Sequence, residues 1–297
     1  MNILRLGKIF LALSVVLVGA SIVSLAWFGL ELGIEFTGGS LLEVRYSQDR
    51  PSNAQIQEWL APLGVQVSSV QPVGANNVLL RMQDLPEEKH QEVLSALEQG
   101  RPQAVVDEQR FESIGPVIGR ELTEKSLTLT LVSLLAITLY VTFAFRKVRK
   151  PARSWQWSLV ALLALVHDVV IPLGTVAFLG HFQGMQITIP VMVALLTIVG
   201  YSINDTVVIF DRIRENLLKK TGDSFAHTVA KSLRQTFSRS FNTSFTTLLA
   251  VVAIYFFGGA TLQPFALTLI VGMVAGTWSS LFLAPVILVK WAGKGAS

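Results

Sequence analysis

Six apolar stretches decide what this chain can become: residues 9–30, 126–145, 157–179, 188–210, 237–257 and 265–289. A helix crossing a bilayer needs about 20 mostly apolar residues at roughly 1.5 Å of rise each. With 51% hydrophobic and 15% charged residues and a mean hydropathy of +0.53, the chain has too little polar surface for a water-soluble protein of 297 residues. An α-helical, multi-pass membrane protein with six transmembrane helices is the expected fold class.

Lys and Arg in short loops stay on the cytoplasmic side. They occur in alternate segments: Arg5 and Lys8, then Arg146, Lys147, Arg149, Lys150 and Arg153, then seven between residues 211 and 244, then Lys290 and Lys294. The loops 180–187 and 258–264 hold none. This pattern predicts cytoplasmic termini, cytoplasmic loops at 146–156 and 211–236, and residues 31–125 on the outer face of a bacterial-type plasma membrane. The first apolar run is longer than the roughly 7 to 15 residues of a signal-peptide core, so residues 1–30 are expected to be an uncleaved cytoplasmic end and first span.

The net charge of +4 joins two unlike regions: residues 31–126 hold 8 Lys/Arg against 15 Asp/Glu, and the rest hold 16 against 5. The basic balance is therefore an orientation signal and points to lipid, not to nucleic acid. There is no cysteine, and His90, His167, His181 and His227 are scattered, so no metal is expected. No Gly-x-x-x-x-Gly-Lys-Ser/Thr occurs, which excludes a P-loop nucleotide site; no cofactor and no enzymatic activity are expected.

Residues 31–125 have the composition of one small soluble domain. Their pattern reads strand 40–47, helix 52–63, strand 66–73, strand 77–83, helix 86–99 with Pro86 at its first position, and strand 104–112. That βαββαβ order predicts an α+β, ferredoxin-like domain with two helices on one face of a four-stranded antiparallel sheet. Asn76-Asn77 is the expected central turn. Residues 126–297 then form a five-helix transmembrane domain.

A carboxylate near the middle of a span costs about 2.5 to 3.5 kcal/mol on insertion scales, which singles out Asp168 and Asp205. Ser202 and Asp205 share a helix face by i,i+3 spacing, Asn204 lies beside them, and Gly200 is expected to admit a neighbouring helix. The apolar run 245–257, with Thr246 as an accessory polar residue in it, is too short to cross, so the fifth span must recruit Arg239, Asn242, Thr243 and Ser244 to or into the cytoplasmic leaflet, at about the depth of Asp205. An Asp205–Arg239 pair is expected on that ground. A carboxylate in low dielectric beside a movable guanidinium can take a proton from one side and release it to the other. Interhelical glue and a snorkelling Arg239 stand as the alternative. His167-Asp168 is read as an accessory polar pair, with Pro172 freeing a carbonyl nearby. Gly272 and Gly276 form a Gly-x-x-x-Gly face for packing within the chain or on a partner. Trp27, Trp155, Trp157 and Trp291 read as interfacial anchors, and Arg212, Arg214, Lys219 and Lys220 as orientation signal and headgroup contacts.

Five segments resemble the SecD/SecF family of protein-export subunits, within the RND superfamily: GYSINDTVVIFDRIREN at 200–216, EFTGG at 35–39, ESIGPVIGREL at 112–122, His167-Asp168, and SRSFNTSFTTLL at 238–249. The resemblance implies six spans with one outer domain after the first, forming half of a twelve-helix core completed by SecD. It also implies assistance to export of unfolded polypeptide, driven by the proton gradient after the SecYEG channel and the SecA ATPase have begun translocation. Asp205 matches the family's proton-relay aspartate and Arg239 its functional arginine. Glu35 departs from the more usual Asp. Two alternatives remain open at this point: half of an RND-type small-molecule exporter, and a structural scaffold for SecD.

Overall fold

A computed structural model describes residues 7–146, 151–259 and 261–294. Arg5, Lys147, Arg149 and Lys150, which carry part of the orientation argument, lie outside the described residues. In chain order the elements are α1 (Gly7–Phe28), α2 (Ile34–Thr37), β1 (Gly39–Tyr46), α3 (Asn53–Leu60), β2 (Val67–Val73), β3 (Asn77–Met82), α4 (Glu87–Gly100), β4 (Val106–Ile114), α5 (Pro116–Ala144), α6 (Ser154–Gln183), α7 (Ile189–Leu218), α8 (Phe225–Phe257) and α9 (Gln263–Trp278). A π-helical turn at Ser279–Leu283 leads from α9 into α10 (Ala284–Lys294). Two compact units result: Leu32–Leu127 with Gln186–Ile189, and a helical unit formed by the remaining described residues.

In the first unit, β1 pairs antiparallel with both β3 and β4, and β2 pairs antiparallel with β3, giving the sheet order β2-β3-β1-β4. This is the ferredoxin-like order. Alternation along β1 and β3 turns Leu42, Val44, Tyr46, Val78, Leu80 and Met82 to one face, where Ile56 and Leu60 of α3 and Val93 and Leu97 of α4 complete the core. A capping box starts α3: the Ser52 hydroxyl accepts from the Gln55 N–H while the Gln55 side chain accepts from the Ser52 N–H at 3.0 Å. Two expectations shift here. Pro86 occupies the N-cap of α4, so the helix begins at Glu87. The central turn is 74–76, where Gly74 takes φ +60°, and Asn77 already belongs to β3, its amide donating to Glu43 Oε1 at 2.8 Å.

Two features of this unit went unread in the sequence. Gly33 N–H donates to the Ile187 carbonyl at 2.8 Å and Leu32 bridges Ile187, so the segment between α6 and α7 joins the chain that follows α1. Gly38 and Gly39 both have positive φ, +77° and +133°, and each lies against backbone. A Cβ on Gly38 would sit 2.8 Å from Pro116 Cα, and one on Gly39 2.7 Å from the Met82 carbonyl oxygen. Gly119, one turn into α5, comes equally close to Gly38 N and the Phe36 carbonyl. The glycine pair thus does more than turn the chain: it lets the start of β1 touch the start of α5.

Six helices of the described chain are long and apolar enough to cross a membrane: α1, α5, α6, α7, α8 and the run from α9 into α10. α6, α7 and α9–α10 are buried along half or more of their apolar windows, whereas α1, α5 and α8 are mostly exposed. The chain is a multi-pass membrane protein. Residues 211–236, expected as a loop, are mostly helix, since α7 runs to Leu218 and α8 starts at Phe225. Hydropathy marks only the part of a helix that meets hydrocarbon, and these polar continuations are held by side chains. Asn216 Nδ2 donates to Ser232 Oγ and Gln235 Oε1, both at 2.8 Å, and Arg212 reaches Gln235 at 2.8 Å. Arg212 and Lys219 also pair with Glu215 at 2.5 and 2.6 Å, and Arg214 with Asp211 at 2.9 Å.

Trp157 is not an interfacial anchor. It is fully buried, stacked on Phe145 with ring centroids 5.3 Å apart and edge-on to Phe210 at 5.1 Å. Trp27 is exposed, and Trp155 meets Trp291 edge to face at 5.2 Å. Elsewhere small residues set the helix spacing. Ser21 of α1 lies so close to Gly174 of α6 that any Cβ there would collide with its Cα at 2.5 Å, and Ser24 Oγ donates to the Gly174 carbonyl at 2.8 Å.

Candidate functional site

The Gly-x-x-x-Gly face of α9 brings three central helices together. A Cβ on Gly272 would collide with Ile198 of α7, and one on Gly276 would stand 3.3 Å from Ser202 Cβ and 3.6 Å from Asp168 Oδ2. This glycine pair therefore packs within the chain. One helical turn beyond Gly276 comes the π turn, closed by an N–H to carbonyl bond from Ala284 to Ser279. A π turn spreads an extra residue over one turn and commonly marks a functional position. Here Ser279 and Ser280 are fully buried among helices that carry the two intramembrane carboxylates.

Asp168 of α6 is fully buried and satisfied three ways. His167 Nδ1 lies 2.8 Å from Oδ1 and, facing a carboxylate, is the donor; Ser279 Oγ donates to Oδ2 at 2.7 Å, and Ser202 Oγ of α7 donates to the same oxygen. Pro172, which lacks an N–H, leaves the Asp168 backbone carbonyl without its usual helical partner, and α6 continues across it. Asp205 of α7, 8% exposed, accepts from Ser280 Oγ at 2.8 Å. Adjacent serines on one turn thus hold two aspartates on two different helices. Among the described residues, His167 Nε2 and the hydroxyl of Thr206 are buried with no hydrogen-bond partner.

Ser202, Asp168, His167 and Asp205 are brought together, but Arg239 is not. No ion pair joins Asp205 to Arg239 among the described residues, and Arg239 is exposed. Span length sets both at one height but says nothing of direction around the helix. α8 turns Thr228, Ser232, Thr236, Ser240 and Ser244 inward, which leaves Arg239, Asn242, Thr243 and Thr246 on an outward polar face. Thr243 and Thr246 donate back to the carbonyls of Arg239 and Asn242 at 2.9 Å. Asn204 is also exposed, and Gly200, expected to receive a helix, has nothing within 4 Å. Ser279 and Ser280 escaped the sequence reading because serines are cheap in an apolar run; two of them adjacent, one turn after Gly276, was the available signal.

Comparison with known proteins gives this arrangement its class. Residues 95–294 match the family model described as "Protein export membrane protein SecD/SecF, C-terminal", and residues 23–49 match "SecD/SecF GG Motif". The chain belongs to the SecD/SecF family of export membrane proteins. Within it, the relatives it resembles are named protein translocase subunit SecF. Those of Thermobaculum terrenum and Vibrio alginolyticus are each 36% identical, over 99% and 97% of this chain and 94% and 88% of their own. That of Pseudomonas aeruginosa is 38% identical over 89% of this chain and 83% of its own. The crystal structure of SecDF, a translocon-associated membrane protein from Thermus thermophilus, matches 99% of this chain at a TM-score of 0.84 and 32% identity. SecDF in a super-membrane-facing form matches at 0.70 and 33%. This chain spans 39% of each of those two longer chains.

Proposed function

We propose that this chain is the SecF-type half of a SecD-paired accessory to Sec-dependent export, and that Asp205 and Arg239 convert proton passage into movement that draws or releases the exported polypeptide. The observation that carries the reading is Asp205 itself: a carboxylate within a span, nine-tenths buried, held by one serine hydroxyl and no cation among the described residues. A group so placed costs insertion energy with no packing return, which suits a side chain that changes its charge.

In this reading the described arrangement is the state in which Asp205 lacks its cation, and Arg239 approaches it in a second state. The outward polar face of α8, with Asn204 of α7, is what SecD covers. The termini and loops rich in Lys and Arg lie in the cytoplasm, and the ferredoxin-like domain lies on the outer face, where it meets the chain emerging from SecYEG after SecA has acted. One charge moved through about 100 mV supplies roughly 2.3 kcal/mol, enough to shift a two-state equilibrium about fiftyfold.

The test is export of a secreted protein in cells carrying Asp205→Asn or Arg239→Ala, with each variant first shown to insert at normal abundance. The reading expects both to lose proton-dependent export. Normal export with either would leave the chain as a scaffold for SecD.

A further inference from the structure

The relay reading uses Asp205 and Arg239 and leaves Asp168 without a task, although it is the most enclosed carboxylate in the helical unit. Its surroundings are built to respond to Asp205. Ser279 Oγ has two acceptors within reach, Asp168 Oδ2 at 2.7 Å and the Gly276 carbonyl at 3.1 Å. Ser280 Oγ has Asp205 Oδ2 at 2.8 Å and the same Gly276 carbonyl at 2.7 Å, with the Thr277 carbonyl more distant at 3.3 Å. Each hydroxyl owns one hydrogen, so each must choose; the Gly276 carbonyl already takes the Ser279 backbone N–H, so the two hydroxyls share its remaining lone pair and each choice weakens the other.

We propose that Ser279 and Ser280 of the π turn link the protonation of Asp168 to that of Asp205, which makes Asp168 a second proton seat of the same relay. The inference rests on the relay reading above and names a positioning role for the two serines. With Asp205 ionised, Ser280 donates to it and leaves the Gly276 carbonyl to compete with Asp168 for the Ser279 hydrogen. When Asp205 takes up a proton, its new O–H donates to Ser280 Oγ, and the Ser280 hydrogen turns to the Gly276 carbonyl. Ser279 then gives its hydrogen wholly to Asp168 Oδ2, and the anion at Asp168 is favoured. A proton arriving at one carboxyl thus favours its departure from the other, with no proton crossing the carbonyl.

The departing proton has an acceptor beside it. While Asp168 is protonated its O–H faces His167 Nδ1 and the ring hydrogen sits on Nε2; passing the proton to Nδ1 lets Nε2, buried with no partner among the described residues, give one up. The other titratable or charged groups of the helices around the two aspartates are few. They are Tyr201 four residues before Asp205 on α7, His181 on the last turn of α6, Asp211, Arg212, Arg214 and Glu215 toward the end of α7, exposed Lys8 on α1 and Lys290 on α10, and Lys231, Arg234 and Arg239 with His227 and Tyr255 on α8. The stretch from α9 through the π turn contains none.

The experiment is infrared titration of the protonated-carboxyl band in the full-length protein reconstituted with SecD in lipid, the Asp168 band being assigned by its loss in Asp168→Asn. Asn at 205 mimics the protonated state permanently, so Asp205→Asn should lower the Asp168 midpoint by about one pH unit, a tenfold change. In a Ser280→Ala background that shift should fall to less than half, in Ser279→Ala likewise, and Ser280→Thr should restore it. An undiminished shift in both alanine backgrounds overturns the inference, as does an Asp168 carboxyl that does not titrate between about pH 4 and about pH 10. The relay reading fails separately, through normal export by Asp205→Asn, whatever the titrations show.

Discussion

Substituting Gly39 with alanine should loosen the sheet far more than the same change at Gly74. At φ +133° an L side chain is strained by about 1 to 3 kcal/mol. The new methyl would stand 2.7 Å from the Met82 carbonyl oxygen, on the strand paired with β1, where overpacking adds about 1 to 3 kcal/mol. Together these remove about 2 to 6 kcal/mol, against a typical domain stability of about 5 to 15 kcal/mol. Gly74 supplies the control: its φ is also positive, +60°, but a Cβ there meets nothing within 4 Å. Hydrogen exchange of β1 and β3 amides, followed in the full-length protein in lipid, should speed up at least about thirtyfold in Gly39→Ala and about tenfold or less in Gly74→Ala. Equal acceleration in the two variants would refute the argument that close backbone approach, and not turn geometry alone, requires glycine at 39.

Three further outcomes are expected. Burial pushes the Tyr46 phenol up to about 12, against an opposing pull from Arg101, and its hydroxyl has no hydrogen-bond partner among the described residues. Because the folded state holds that proton more tightly, the contribution is fully present below about pH 10 and is lost as pH rises toward 12. Tyr46→Phe should therefore stabilise the domain at neutral pH by about 1 kcal/mol and flatten its alkaline unfolding, read by tryptophan fluorescence. Gly174→Ala should force α1 from α6 by roughly 1 Å and weaken the Ser24 hydrogen bond, lowering resistance to denaturing detergent by about 2 to 4 kcal/mol. Trp157→Ala should cost about 3 to 5 kcal/mol by the same measurement, whereas Trp27→Ala at an exposed position should cost little.

Most of the architecture was legible because membrane spans and strand alternation leave strong periodic signals. The order of strands and helices in the soluble unit and the presence of six spans followed from hydropathy, β-branched runs and turn residues. What stayed hidden depended on direction around a helix or on backbone detail. Trp157 looks like an anchor by height alone, yet its azimuth takes it into the stack with Phe145 and Phe210. Span length assigned Arg239 the depth of Asp205 but not its direction, and Arg239 turns outward, because the serines and threonines of α8 face inward. The hairpin turn fell on 74–76, one residue earlier than the asparagine pair suggested, because glycine and asparagine both suit turns and only the register decides. The π turn leaves no trace in hydropathy, so the adjacent serines after Gly276 gave no sign that they hold the two aspartates.

The central claim is that Asp205 lies on the proton path of an export accessory. Its most direct test measures export of a secreted protein by cells carrying Asp205→Asn, with and without collapse of the proton gradient, once normal insertion is confirmed. The account predicts a loss equal to that caused by collapsing the gradient, with no additional loss when the two are combined. Export at the normal level with the gradient intact would contradict it.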